Sequence, residues 1–330
     1  MDIAERVLDL LRDGRTISGE EIARQLGISR NAVWKAVQKL RQAQYEIEAT
    51  TNKGYRLVSE SGVFSAENIR RQLGPDMEQI AIDVRDTVTS TNTVLKELAE
   101  QGGREGMVVL AEHQVQGKGR LGRSFYSPKN AGLYMSVLLR PDFSAEESLS
   151  ITTAAAVAVA EAVSTVTGRE AKIKWVNDVY LDGRKICGIL TEASLDFENG
   201  GLNYAVLGIG VNIQEPPGGF PKELENVAGA LFKEEPPAGI RVRLAAEILN
   251  RFFQFYRALP AHSYMEAYKR RSLLTSLEIT FQQGRQSWEG VVLGVDDQAR
   301  LVVRLPSGEE KVFGAGEVTI VKKGLLEQIQ

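Results

Sequence analysis

Three glycines and three cations, with no acid among them, fill the ten residues Gln114-Val115-Gln116-Gly117-Lys118-Gly119-Arg120-Leu121-Gly122-Arg123. Glycines let a backbone approach a ligand closely, and cations two or three residues apart can surround an anion. The run therefore predicts a mobile loop that closes its N–H groups and side chains on a phosphate. Glycine with lysine and arginine also makes flexible linkers, so the run gains meaning only from its neighbours. Gly117, Gly119 and Gly122 match G-x-G-x-x-G as well, and Asp142 stands twenty residues beyond, as a dinucleotide-binding fingerprint requires. That reading fails because no helix opens at the last glycines. Pro128, Gly132 and the β-rich stretch 133–139 follow instead, and Pro141 disfavours a strand at Asp142.

Downstream lie Lys174-Trp175-Val176-Asn177-Asp178, the turn Asp182-Gly183-Arg184, and Lys185-Ile186-Cys187-Gly188. Upstream, Ser90-Thr91-Asn92 opens a helix. Lys185 and Arg120 offer fixed positive charge to a phosphate, with Lys118 and Arg123 in support. Asn177 and Asp178 offer the oxygen ligands that Mg²⁺ prefers. Each has a plainer role when taken alone: Ser90-Thr91-Asn92 as a helix N-cap, Lys185 as a solvated strand residue. Cys187 reads as a buried thiol with no activating base nearby. One cysteine and two distant histidines, His113 and His262, give neither an internal disulfide nor zinc-ligand spacing.

The elements that must position these groups follow from periodicity. Strands are predicted at 79–85, 107–112, 133–139, 172–175, 179–181, 185–192 and 204–211, with helices at 92–100 and 148–167. That makes a mixed sheet with packed helices. Further helical patterns cover 241–259 and 263–272, and short strands separated by tight turns then run to Val321, as in a small SH3-like β-barrel.

Ahead of this sheet, Ile3, Val7, Leu8, Leu10 and Leu11 recur at helical spacing before Gly14. Ser18, with Glu21 as the reciprocal half of a capping box, starts a second helix, Gly27 ends it, and Ser29 caps a third that runs through Leu40. Tyr45 and Ile47 then face Tyr55 and Leu57 across Thr51-Asn52-Lys53-Gly54, a hairpin. Helix, helix-turn-helix and hairpin in that order predict a winged helix. On the third helix Val33, Val37 and Leu40 share one face, while Arg30, Asn31, Trp34, Lys35 and Gln38 share the other. Residues 24–56 hold seven Lys/Arg against two Glu, so the recognition helix from Ser29 and the hairpin residues Lys53 and Arg56 carry an excess of positive charge suited to operator DNA. A basic run can simply solubilise a face, but the helix-turn-helix order favours DNA. Trp34 is expected to pack against a neighbouring helix, as lone helical aromatics usually do.

With 330 residues, 43% hydrophobic and 25% charged, the chain has room for two or three domains. The organisation expected is α+β, with a winged helix at 1–60, a central sheet domain at 65–273 and a barrel at 274–330. The polar Ser59-Glu60-Ser61-Gly62 serves as a linker, followed by a short helix capped by Ser65. No uninterrupted apolar run exceeds Ala154 to Ala160, and the acidic start Asp2-Ile3-Ala4-Glu5 lacks a signal peptide's basic region. Neither a membrane nor export is expected, which places the chain in the cytoplasm.

Together, Ser90-Thr91-Asn92, Gln114 with the Gly-Lys-Gly-Arg-Leu-Gly-Arg loop, Lys-Trp-Val-Asn-Asp, the Lys185 strand and Gly208-Ile209-Gly210-Val211-Asn212 closely resemble the bifunctional biotin protein ligase and biotin operon repressor family. Nearly the whole chain is covered. Val176 stands where that family usually has proline, and Phe125 where tryptophan is common. The resemblance implies a central fold like that of class II aminoacyl-tRNA synthetases. It also implies formation of biotinyl-5′-AMP from biotin and ATP, transfer of biotin to a lysine of a biotin carboxyl carrier protein, and repression of biotin synthesis with biotinyl-5′-AMP as corepressor. Side-by-side homodimers on operator DNA belong to the same expectation. By the same match, Ser90, Thr91 and Gln114 hydrogen-bond the ureido ring. Gly117, Lys118, Gly119, Arg120, Lys185 and Gly188 surround the rest of biotin. Lys118, Arg120, Arg123, Phe125, Asn177 and Asn212 meet the adenylate, and Asp178 holds Mg²⁺. Two rivals carry other expectations: a ligand-sensing repressor without chemistry, and a lipoate-type ligase on a related fold.

Overall fold

Helices α1 (Ile3–Leu11), α2 (Gly19–Leu26) and α3 (Arg30–Gln42) form where apolar residues recur every three or four positions. Ser18 Oγ accepts the Glu21 N–H and Ser29 Oγ the Ala32 N–H, each satisfying a backbone donor that a helix start leaves unpaired. The Glu21 carboxylate turns to Arg24 and Gln25 in place of the reciprocal bond expected of a capping box. Strands β1 (Glu46–Thr50) and β2 (Gly54–Ser59) pair antiparallel, with Ile47 opposite Leu57 and Glu48 opposite Arg56. Val7, Leu11, Ile22, Val33, Val37, Leu40 and Ile47 form the core of this winged helix.

The computed structural model describes residues 2–50, 53–60, 62–141, 148–195, 201–283, 285–314 and 317–320. Thr51 and Asn52 of the expected turn, Ser61 of the expected linker, Asp142 of the rejected fingerprint and Val321 at the expected barrel end lie outside these residues. The chain divides into two compact units, Met1–Gln72 with Pro237–Arg243, and Leu73–Pro236 with Leu244–Gln330. The Ser65-capped helix α4 (Ala66–Arg70) therefore groups with the first unit and not with the sheet domain expected from residue 65.

In the second unit, β3 (Ala81–Val88), β4 (Met107–Gln114), β5 (Gly132–Leu139), β6 (Lys172–Lys174), β7 (Asp178–Leu181), β8 (Arg184–Leu195) and β9 (Leu202–Asn212) form one sheet, in the order β3-β4-β5-β9-β8-β7-β6. Only β3 and β4 run parallel, joined by the crossover helix α5 (Thr91–Glu100). Helix α6 (Ser148–Thr167) packs across β6 to β9. By length and composition its residues Leu149–Thr167 are long and apolar enough to cross a membrane. Serines and threonines interrupt its apolar runs without lowering its mean hydropathy much. Ile151 and Ala154 to Ala160 are wholly buried, the signature of a core helix.

Helices α7 (Ile240–Arg257) and α8 (Met265–Arg270) follow, with the Tyr268 hydroxyl donating to the Val176 carbonyl at 3.2 Å. Five antiparallel strands follow: β10 (Glu278–Gln283), β11 (Gln286–Val295), β12 (Leu301–Arg304), β13 (Glu310–Phe313) and β14 (Glu317–Ile320), in the order β13-β12-β11-β10-β14. In a flat sheet β10 and β13 would stand about 14 Å apart, at roughly 4.8 Å per strand. The Phe281 and Phe313 rings instead lie 4.0 Å apart, so the sheet curls on itself as a small barrel does. Trp175 Nε1–H donates to the Ala299 carbonyl at 2.8 Å, fastening this element beside β6.

Candidate active site

The basic glycine run connects β4 to β5 and folds back as a closed turn. The Gly119 N–H donates to Arg123 O at 2.7 Å, Arg123 N–H to Arg120 O, and Phe125 N–H to Gly117 O. These bonds give the run, expected to be a mobile loop, a defined turn. A Cβ on Gly117 would stand 2.3 Å from Phe125 O and 2.6 Å from Ser127 Oγ, so only glycine allows the turn to close. At its tip, Leu121 has a left-handed φ of 55° and is 72% exposed. Neither feature is supported by packing, which is the condition of a segment able to rearrange around a ligand.

Beneath the turn, β8 and β9 place Gly188 opposite Gly210, and the Phe125 ring rests on this glycine floor. A Cβ at Gly210 would come within 2.5 Å of that ring. Phe125 thereby stands between two cavities. The larger, about 380 Å³, is of a size that holds a small ligand. Lys118, Arg120, Arg123, Lys174 and Lys185 line it, and among the described residues Asp178 is the one carboxylate facing them. The smaller recess, about 30 Å³, is lined by Ser90, Thr91, Asn92, Gln114, Lys118, Phe125, Gly188 and the β9 glycines.

Two of the cations are held by specific partners. Arg120 Nη1 donates to Asn177 Oδ1 at 3.0 Å. Asn177 is itself fixed, because its Nδ2 donates to Ile189 O at 2.8 Å and its carbonyl accepts the Ile189 N–H. Lys185 is fixed by its backbone, with its N–H on Val227 O and its carbonyl on Gly229 N. Its Nζ lies 2.7 Å from Asp178 Oδ1. The approach is off the hydrogen-bonding directions, so this buried oxygen has a charge partner but no directed hydrogen bond. That leaves a lone pair for a hard cation. Asp178 can therefore supply one oxygen to Mg²⁺, and the described residues contain no cluster of three acidic, histidine or cysteine ligands to supply more. A single protein ligand suits an ion that keeps its waters and rides on substrate phosphates.

Most of the expected ligand-site residues converge. Lys118, Gly119, Arg120, Arg123, Phe125, Asn177, Asp178, Lys185, Gly188 and Asn212 line the larger cavity, and Ser90, Thr91, Gln114 and Gly188 the smaller. Gly117 lines neither and serves the turn. Asn212 Nδ2 donates to Gly229 O at 2.9 Å. Ser90 occupies the N-cap position of α5 but makes no capping hydrogen bond, so the plainer role considered for it does not hold. Cys187 is fully buried, and burial drives its thiol pKa far up, leaving an inert side chain. Sequence reasoning missed Phe220, Leu224 and Val227, which close the side of the larger cavity. Their three- and four-residue spacing was a signal, but Pro216, Pro217 and Pro221 around them hid it among turns.

In the winged-helix unit, Ser29, Arg30, Asn31, Lys35, Lys53 and Arg56 are exposed and Gln38 is half-buried. Trp34, expected to be packed, is 51% exposed, because Val33, Ala36 and Val37 take the buried positions around it. Four of the seven basic residues in this region bond within the unit: Arg24 to Glu21, Lys39 to Asp2, Arg56 to Glu48, and Arg41 to the Ile47 carbonyl. Arg30, Lys35 and Lys53 have no ion-pair partner among the described residues. The excess charge thus concentrates at the start of α3 and the hairpin tip.

Three family models match the chain: an HTH domain over residues 4–56, the biotin/lipoate A/B protein ligase family over 84–212, and the biotin protein ligase C-terminal domain over 278–321. The chain is 33% identical to the bifunctional ligase/repressor BirA of Bacillus subtilis over 91% of its own length and 92% of that protein. It is 32% identical to the biotin–[acetyl-CoA-carboxylase] ligase of Mycobacterium tuberculosis over 72% of its length and 88% of that protein. Its fold is similar to that of the biotin protein ligase from Aquifex aeolicus in complex with biotin and ATP, with a TM-score of 0.60, 24% identity, and coverage of 74% of this chain and 99% of that one.

Proposed function

We propose, for a chain that belongs to the family of bifunctional biotin protein ligase/repressors, that it joins biotin to ATP as biotinyl-5′-AMP, passes biotin to a lysine of a biotin carboxyl carrier protein, and represses transcription when loaded with the adenylate. The observation that carries this reading is the pairing of a cation-lined cavity with a polar recess across the Phe125 ring. The recess offers hydroxyl and amide groups to a neutral, polar ureido ring, which needs hydrogen-bond partners once buried. The cavity offers positive charge to a triphosphate.

A carboxylate with a pKa of about 4 is already ionised at neutral pH, so the first step needs no general base. Its obstacle is repulsion between the attacking carboxylate and the anionic α-phosphate. Lys185 and Arg120, held by Asp178 and Asn177, meet the growing charge with donors already in place, and Lys118 and Arg123 add to the field. A carboxylate oxygen bonds to the α-phosphorus as pyrophosphate leaves. Asp178 would hold the Mg²⁺ of the nucleotide, which neutralises phosphate charge when bound. In the second step the carrier lysine, having lost its proton to become the free amine, attacks the acyl carbon, AMP leaves with the bridging oxygen, and the proton released as the amide forms passes to solvent.

The repressor role uses the winged helix, with Ser29, Arg30, Asn31, Trp34, Lys35 and Gln38 on the recognition helix and Lys53 and Arg56 on the wing facing operator DNA. A homodimer would let two such helices reach two half-sites, and adenylate binding would favour that dimer through linkage. The division into domains at 1–60, 65–273 and 274–330 belongs to this proposal and is supported by the three separately matching family models. So does a cytoplasmic protein without membrane association, supported by the burial of α6.

Exchange of labelled pyrophosphate into ATP tests the enzyme directly. Exchange is expected with biotin and not with lipoate. Exchange driven by lipoate would mark a lipoate-type ligase, and none with either acid would mark a sensor without chemistry.

A further inference from the structure

Lys185 sits where the regular sheet gives it little support. β9 pairs with β8 only from Cys187 onward, where Cys187 stands opposite Val211. On the other edge β7 sets Val179 against Cys187 and Tyr180 against Lys185, so Ile186 is an extra residue and the ladder is interrupted there. The start of β8 therefore lacks a strand partner on its β9 side. Residues 221–231, which run in turns without a helix or strand, take that place. The Lys185 N–H donates to Val227 O at 2.9 Å and the Gly229 N–H to Lys185 O at 2.8 Å, a parallel bridge between Lys185 and Ala228. The same segment carries Leu224, Val227 and Ala228 to the wall of the larger cavity.

A run of turns has no ladder of its own, so its carbonyls need donors from elsewhere. Two arginines supply them. Arg184 Nη1 donates to Glu225 O at 2.6 Å. Arg169, just past α6, donates from Nη2 to Leu231 O and from Nη1 to Asp182 Oδ2 at 2.8 Å, which ties the wall to the turn that opens β8. A guanidinium keeps its charge at any working pH, and its planar fork reaches two acceptors at once, as Arg169 does. The fit between these two points is close, since a Cβ on Gly229 would stand 2.5 Å from Arg184 Cβ. Neither arginine lines the larger cavity or the smaller recess. Any effect they have on a ligand must pass through what they hold.

We infer that Arg184 and Arg169 are positioning residues for the adenylation step: by fastening the wall at Glu225 and Leu231 they hold the segment whose backbone sets Lys185, and with it the ammonium that meets the α-phosphate. This rests on the biotin-ligase reading above. The wall then has two duties that kinetics can separate. Its apolar side chains act on nucleotide binding, whereas its backbone acts on the place of Lys185 and so on the rate at saturation. Misplacing a reacting group by 1 Å can cost about 10²-fold in rate, so loosening one of the two fastenings is expected to cost about tenfold.

The test is a double-mutant cycle in the full-length protein, read as kcat of biotin-dependent pyrophosphate–ATP exchange at saturating ATP and biotin. Arg184→Ala and Arg169→Ala are each expected to lower kcat about tenfold when Lys185 is present. With Lys185→Gln already made, each is expected to cost less than about twofold, because a donor that has been removed cannot be misplaced. Arg184→Lys can still donate to the single Glu225 carbonyl and is expected to recover most of the loss. Arg169 is remote from Lys185 in sequence, so a loss there cannot come from an altered chain neighbour. A loss of the same size in both backgrounds, or a higher KM for ATP with kcat unchanged, overturns the inference, since the arginines would then serve only the fold or the binding face of the wall. Wild type without biotin-dependent exchange would overturn the biotin reading, and this inference with it.

Discussion

Replacing Lys185 by glutamine is expected to lower the rate of biotin-dependent pyrophosphate–ATP exchange by about 10²–10³, the usual cost of removing one donor placed where transition-state charge develops. Glutamine keeps a polar side chain of similar reach but carries no charge. The Lys185 backbone is tied to Val227 and Gly229 on both its N–H and its carbonyl, so the strand should not shift. Biotin affinity measured without ATP is expected to fall by less than the exchange rate does, because Lys185 then meets only the biotin carboxylate and the α-phosphate charge arises only with the nucleotide. The loss of Lys185 also leaves Asp178 without its cation, and an unpaired, mostly buried carboxylate is itself costly. The double variant Lys185→Gln/Asp178→Asn removes that complication and is expected to remain as slow as the single one. Recovery of exchange in the double variant would mean that Lys185 serves only to neutralise Asp178.

Operator binding by the triple variant Arg30→Ala/Lys35→Ala/Lys53→Ala, measured with biotin and ATP present, is expected to weaken about 10²-fold, at roughly 1 kcal/mol per lost phosphate contact. The salt dependence gives the sharper reading. Each phosphate contact contributes about 0.9 to the slope of log K against log salt, so the slope should become shallower by about three. Exchange activity should be unaffected, since these side chains sit in the winged-helix unit. The pairs Arg24–Glu21 and Lys39–Asp2 offer a control. Removing Arg24 should change the slope by much less than one. A slope unchanged in the triple variant would place the DNA on another surface.

Local features of this chain were legible because they depend on neighbours in sequence. Ser18 and Ser29 cap their helices through bonds three residues away, and 148–167 carries its helical signal within itself. The cationic loop was legible for the same reason, since composition and spacing sit in ten consecutive residues. What stayed hidden depends on pairing across the fold. Glu192 stands in an unremarkable strand, and its relation to Asn92 spans 100 positions. Arg120 and Asn177 meet across 57. Their partnership shows why Asn177 is where it is, which a motif match alone could not tell. Trp34 illustrates the opposite error. General tendency favoured packing, but the helix has a narrow buried face, already filled by Val33, Ala36 and Val37.

In the proposed first step an ionised carboxylate attacks the α-phosphorus inside the cationic cavity, with no proton transferred. Biotin labelled with ¹⁸O in both carboxylate oxygens, supplied with ATP and a carrier protein, follows the atoms of that reaction. Each turnover is expected to leave one ¹⁸O in AMP and one in the new amide. Unlabelled AMP, or ADP in its place, would mean that the carboxylate never joined the α-phosphate and would overturn the proposed step.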